Sequence, residues 1–367
     1  MHGNFDVQYK QAIELRRQWS ILKSQSSMIT AKEAAYILDV SEAEIMATHC
    51  GCNATRLSPA WEELLLRITR CGRLRVKTQN KFAEMESIGN FGSISLKNNE
   101  LKSLDGFGNL KINLDNLESA YAFESILENG KYEYSIHIFG LDGSPIHKFF
   151  LSENNSQEIF QWISSQLKHE NQSPVQIIKQ NQKNPTRIIW NKTDHFCFID
   201  TWNASKTNQD FSRLLKHFNI TRAQALRLAE GEMTHRLGRF EFENLLKTVA
   251  KVQTPLTIQV GNAGGVHYFS GNIDRFMAND FSPSADGNYF KIRINRKGIA
   301  DAWRVTMPTK DGKITSLELY DYNGGPIISF FNDMRRNKKD SPYWLKILNN
   351  LHIENLEYNM SQLGRKN

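Results

Sequence analysis

The chain has 367 residues, 40% hydrophobic and 23% charged, with a formal net charge of +7. This balance suits two or three soluble domains rather than a disordered or membrane protein. No apolar run reaches the roughly 18 residues of a membrane span, and the N-terminal segment carries Asp6 and Glu14 without an apolar stretch, so a cytoplasmic protein is expected. The basic excess favours an anionic partner. The cysteines Cys50, Cys52, Cys71 and Cys197, split three to one between the halves, fit reduced thiols better than a disulfide framework.

Taken in chain order, the first clear element is a helix opening at Thr30, a suitable N-cap for Ala31–Ala35. His49-Cys50-Gly51-Cys52 is a metal-like cluster without a second ligand pair at zinc spacing, and reads as turn and core residues. Arg67, Arg70, Arg73, Arg75 and Lys77 alternate with apolar residues across a helix end and the next strand, the pattern of a solvated face. No recognition helix or stacking motif accompanies them, so nucleic acid is not the expected partner. Lys111-Ile112-Asn113 falls on a strand. In residues 135–150, alternating apolar residues lead into Asp142-Gly143, a dipeptide whose two residues tolerate positive φ in a tight hairpin. Helical spacing at Ile159, Phe160, Ile163 and Leu167 is followed by a Gln/Asn-rich stretch over 169–185 that reads as a linker.

The elements then recur. Residues 316–331 repeat 135–150 at an offset of 181 with six of sixteen positions identical, and Asn323-Gly324 stands where Asp142-Gly143 does. Leu64-Leu65 pairs with Leu245-Leu246, Gly89 with Gly271, Thr30–Ala35 with Thr221–Leu226, and Lys111-Ile112-Asn113 with Arg293-Ile294-Asn295. Each half runs helices first, then strands, then the hairpin. The expected fold is therefore α+β, a tandem duplication in which each half is a large antiparallel sheet with helices packed on it. The expected boundaries are 1–168 for the first copy, 169–185 for the linker and 186–367 for the second copy.

Phosphate-loop, dinucleotide, zinc-protease and serine-hydrolase signatures are all missing. The run of residues 214–228 (LLKHFNITRAQALRL), residues 307–324 (MPTKDGKITSLELYDYNG), the start of 41–57 and the VGN…FSG pattern at 260–271 together resemble the HemS/ChuS-type proteins of bacterial haem uptake. The resemblance spans nearly the whole chain and implies a cytoplasmic, two-lobed protein that binds haem as carrier, as haem-degrading factor, or as both. It implies residue roles as well. Arg222 matches an arginine that binds a haem propionate, and the family's axial histidine, thirteen residues earlier, falls at Gln209. The arginine over the distal face falls at Lys111, a second histidine at Met85, and a further arginine at Thr306. Carboxamide is a poor iron ligand, thioether a plausible soft one, and lysine must lose its proton to ligate. The repeat places His267 opposite Met85 and Arg293 opposite Lys111, so a pseudo-symmetric site would use His267 as the metal ligand with Arg293 beside it.

Three functions follow from the resemblance. The first is haem binding for intracellular carriage and iron acquisition, with ligation altered at Gln209 and membrane importer components as partners. The second is haem degradation. The third is a binding or regulatory scaffold that no longer takes haem.

Overall fold

The computed structural model describes residues 2–26, 29–92, 94–103, 108–127, 129–151, 156–178, 192–335 and 339–354. These form two compact units, each completed by a short segment from the other half of the sequence. Unit 1 comprises residues 1–80, 86–182 and 261–267, and unit 2 residues 81–85, 183–260 and 268–367. The division at 168 and 186 stands as a proposal about ancestry.

The first half contains α1 (His2–Gln25), α2 (Ala31–Leu38), α3 (Glu42–Ala47), β1 (Ala54–Leu57), α4 (Trp61–Thr69), β2 (Arg73–Gln79), β3 (Ala83–Asn90) and β4 (Ile94–Lys97). It continues with β5 (Glu100–Ser103), β6 (Gly108–Asn113), β7 (Leu117–Ile126), β8 (Tyr132–Gly140), β9 (Pro145–Leu151) and α5 (Ser156–Gln166). The second half contains α6 (Lys192–Ala204), α7 (Asn208–His217), α8 (Arg222–Leu228), β10 (Thr234–Leu237), α9 (Glu241–Val252), β11 (Leu256–Gly261) and β12 (Gly265–Gly271). After these come β13 (Arg275–Met277), β14 (Ser284–Gly287), β15 (Phe290–Ile294), β16 (Asp301–Thr309), β17 (Gly312–Tyr320), β18 (Pro326–Asn332) and α10 (Pro342–Asn349).

The duplication is plain in the strand order, which runs β1-β7-β8-β9-β2-β3 in one copy and β10-β16-β17-β18-β11-β12 in the other. Three-stranded meanders, β4-β5-β6 and β13-β14-β15, complete two sheets of nine described strands. Alternation sorts each sheet's side chains between two helical layers. In unit 1, Ile136 and Ile138 of β8 meet Leu64, Leu65 and Ile68 of α4 and Ile163 of α5, while Tyr121 and Phe139 turn to Ala43, Met46 and Ala47 of α3. In unit 2, Leu317 and Leu319 pack on Leu245, Leu246 and Val249 of α9 and on Trp344 and Leu348 of α10. On its other face, Trp303, Val305 and Tyr320 lie under α6 to α8. Each fully buried leucine or isoleucine stabilises its unit by about 1.5–3 kcal/mol. Among the described residues no helix is long and apolar enough to cross a membrane.

Three expectations change. First, Thr30 does cap a helix through a capping box with Glu33, but the counterpart of Thr221 is Ser41. Ser41 caps α3 through a box with Glu44, as Thr221 caps α8 with Gln224, and each helix leads directly into the first strand of its sheet. Similar composition (Thr, then alanines) drew the pairing one helix too early. Second, only glycine takes positive φ in the hairpins: 70° at Gly143 and 76° at Gly324, with neither Asp142 nor Asn323 in that region. The register shifts beside the turn in both copies, so each hairpin closes over a β-bulge rather than a two-residue turn. Gly143 also admits α3, since a Cβ there would lie 2.3 Å from Ser41 Oγ. Third, residues 179–185 of the expected linker lie outside the described residues, but 169–178 lie along β1. There Gln172 exchanges hydrogen bonds with the Arg56 backbone. The amide side chains that resemble a solvated linker are here backbone partners.

Candidate functional site

The α7–α8 corner of unit 2 places Gln209 and Arg222. Thr207 Oγ1 accepts from Asp210 N and starts α7, whose inward stripe is Phe211 and Leu214. Thr221 then starts α8 with Arg222 as its first helical residue. A cation in a first turn opposes the helix dipole, so Arg222 needs a counter-charge, and β17 supplies Glu318. Arg222 Nε donates to Glu318 Oε2 at 3.0 Å and to the Tyr320 hydroxyl oxygen at 2.9 Å, and Nη2 donates to Glu318 Oε1 at 2.6 Å. Tyr320 OH and Ser316 Oγ also donate to the carboxylate, at 2.6 and 2.9 Å.

Glu318 is 3% exposed. Burial alone would raise its pKa, but the Arg222 charge and these donors hold it below the usual value. Burial and the Glu318 charge push the Tyr320 phenol up. Burial works against the Arg222 cation, yet Glu318 raises its pKa further still. The Arg222 side chain remains 33% exposed. Its guanidinium lies over the Phe211 ring at 5.1 Å, and Nη1 makes no hydrogen bond among the described residues. The corner thus presents one open edge of a permanently charged, oriented fork, the group that best accepts a carboxylate.

Among the described residues, none of the other expected site residues makes a hydrogen bond or ion pair with Arg222. Gln209, in the first turn of α7, is exposed. Met85 is fully buried in an apolar core with Phe290 and Ile292. Arg293 is exposed on β15 between buried Ile292 and Ile294. Thr306 lies on β16 and its N–H donates to Met233 O. In unit 1, Lys111 Nζ is paired with Glu100 at 2.6 Å.

His267, also in unit 1, is fully buried, with Nδ1 3.0 Å from Thr78 Oγ1 and Nε2 2.8 Å from Ser87 Oγ. In this conformation neither of its nitrogens is open to a metal. The threonine continues to His147 Nδ1 at 2.7 Å, so two buried imidazoles share one hydroxyl. Burial lowers both, His147 to about 3. Spacing hides this chain, because Thr78 and His267 are 189 residues apart.

Among the described residues no group of three or more His, Cys, Asp or Glu side chains is placed to hold a metal. Cys52 N closes a turn onto His49 O, and Arg75 is paired with Glu86 and Glu133 over Phe150. Sequence reasoning missed Glu318 and Tyr320 as Arg222's partners. The signal was available: Glu318 is an acid amid apolar residues in a repeat whose other copy has His137.

Comparison with known proteins accounts for both copies. The model of the haemin-degrading HemS.ChuX domain matches residues 39–167 and again residues 219–351. The chain is 24% identical to the hemin transport protein HmuS of Yersinia pestis over 331 residues, covering 90% of this chain and 95% of that one. It is 25% identical to the hemin transport protein HemS of Yersinia enterocolitica over 320 residues, covering 86% and 90%. The crystal structure of holo-PhuS, a heme-binding protein from Pseudomonas aeruginosa, superposes with a TM-score of 0.88 at 26% identity, covering 94% of this chain and 99% of that one. The heme-degrading enzyme ChuS of Escherichia coli O157:H7 shares the fold, with a TM-score of 0.85 at 21% identity over 93% and 99% of the two chains. The chain therefore belongs to the HemS.ChuX domain family and carries the domain twice.

Proposed function

We propose that this protein binds haem, or a related anionic tetrapyrrole, for intracellular haem carriage, and that it grips the ligand through a carboxylate at Arg222 rather than through a histidine–iron bond. The open Nη1 edge of Arg222 carries this reading, supported by relatives that are hemin transport and heme-binding proteins. The fit is one-sided. The guanidinium suits a propionate, whereas the proposed iron contacts do not form a ligand set: Gln209 offers only a carboxamide, and Met85 and His267 are buried. No reaction step is derived through the iron. Membrane importer components are the proposed partners for delivery, and the cytoplasm the proposed compartment.

Haemin titration followed by absorbance tests the reading on wild type, Arg222→Ala and Gln209→His. Wild type should saturate near one equivalent. Arg222→Ala should bind roughly tenfold or more weakly, the worth of a charge-assisted hydrogen bond. Gln209→His should shift the band by supplying the imidazole. An unsaturable response in wild type would support the scaffold-only reading, which the closed environments of Met85 and His267 favour.

A further inference from the structure

Register supplies an internal comparison that points to a second ligand site. Leu57 of β1 faces Ala120 of β7 as Leu237 of β10 faces Ala302 of β16, and Arg56 faces Tyr121 as Arg236 faces Trp303. Ser119 therefore occupies the position of Asp301. In unit 2 that aspartate neutralises the strand arginine, with Arg236 Nη2 3.3 Å from Asp301 Oδ1 and Arg227 also paired to it.

Unit 1 keeps the arginine and lacks the acid. Arg56 forms no ion pair among the described residues, and its Nη atoms donate only to neutral acceptors: Gln176 Oε1, Ser173 O and Val175 O. Two polar groups in this corner are buried without a hydrogen-bond partner, Arg56 Nε and the Oγ of Ser119, a residue only 6% exposed. Both residues line a cleft of about 270 Å³ in unit 1. His169, on the same wall, accepts Asn171 N at Nδ1, which leaves its Nε2 to carry the proton and serve as a donor.

We propose that this cleft binds a small monocarboxylate, whose charge takes the place at Arg56 that Asp301 fills in the second copy. The carboxylate would be met by Arg56 and the Ser119 hydroxyl. Arg56 is the one Lys or Arg among the described residues lining the cleft, so a single negative charge matches it. The site is independent of the haem reading, since it uses none of the residues assigned to haem.

Thermal melting of the full chain in sodium acetate against sodium chloride at equal ionic strength tests this. Acetate should raise the melting temperature of wild type by about 3 °C or more, and that of Ser119→Ala by less. Ser119→Asp carries its own carboxylate, so it should melt higher in chloride and lose the acetate response. Arg56→Gln should also lose the response, which covers the case of a poorly folded aspartate variant. An equal acetate shift in wild type and Arg56→Gln, or none in wild type, overturns the proposal.

Discussion

Replacing His147 by asparagine should flatten the acid sensitivity of unit 1, and the structure sets the size of the effect. Neutral imidazoles satisfy the buried chain when His147 Nδ1–H donates to Thr78, the Thr78 hydroxyl donates to His267 Nδ1, and His267 Nε2–H donates to Ser87. His147 Nε2 is left without a partner. A further proton has no acceptor here, and burial holds His147 from 6.5 down to about 3. A depressed histidine leaves the fold unpenalised above the unfolded value, and stability is lost as pH falls from about 6.5 toward about 3, because the unfolded chain takes up the proton first. Between about pH 7 and about pH 5, this one imidazole removes about 1.9 kcal/mol. His267 acts in the same direction, through burial and the neighbouring His147.

Asparagine can place an amide where His147 Nδ1 sits, keeping a partner for Thr78 and removing the titration. Urea unfolding of wild type and His147→Asn over this range should show the variant losing about one proton of uptake, roughly 1.4 kcal/mol per pH unit below about pH 6. Carboxylates and the histidines outside this buried chain contribute equally to both proteins and cancel in the comparison, whereas His267 loses the His147 part of its shift in the variant. Identical pH slopes would refute the buried-neutral assignment.

Three further outcomes are expected. Glu318→Gln should destabilise unit 2 by about 1–3 kcal/mol through the broken buried pair. On the proposed reading, the same change tightens haemin several-fold by freeing the Arg222 charge, and parallel denaturation and haemin titrations separate the two effects. Ser41→Ala and Thr221→Ala should each cost about 1 kcal/mol of unfolding free energy, because each hydroxyl accepts an N3 backbone N–H. Gly265→Ala would set a Cβ 2.5 Å from His147 Nε2 and 2.9 Å from Lys111 O. It should lower stability by about 1–3 kcal/mol in a thermal melt, and an unchanged midpoint would refute the close approach of these groups.

Local patterns made much of the fold legible. The hairpins were readable because alternating apolar residues and a glycine are short-range signals, and the glycines do take positive φ. The bulge beside each turn was not, because it depends on how the partner strand registers rather than on composition. Lys111-Ile112-Asn113 and Arg293-Ile294-Asn295 proved true counterparts: both end in an asparagine that caps the following turn by accepting an N–H two residues on. The environment of His267 could not be read. Its repeat partner Met85 sits in an apolar core, while His267 itself is satisfied by Thr78 and Ser87, residues that no spacing rule connects to it. Arg222 was legible as a cation at a helix start. Its carboxylate partner, 96 residues away, left only the signal of an acid amid apolar residues, with nothing to connect it to Arg222.

The two copies show why Arg222 matters more than its exposure suggests. The capping boxes align Glu42, the first residue of α3, with Arg222, the first residue of α8. An acid at that position gains from the helix dipole, and Glu42 is further held by Lys148 and Gln79. Unit 1 therefore has the arrangement that helix energetics favour. Unit 2 has the reverse: a cation in the unfavourable position, countered by a buried carboxylate that must itself be desolvated. Stability alone would select the first arrangement in both copies. A fold that carries the opposing charge, and then leaves one guanidinium edge unbonded, accepts a cost that a ligand carboxylate at that edge would explain.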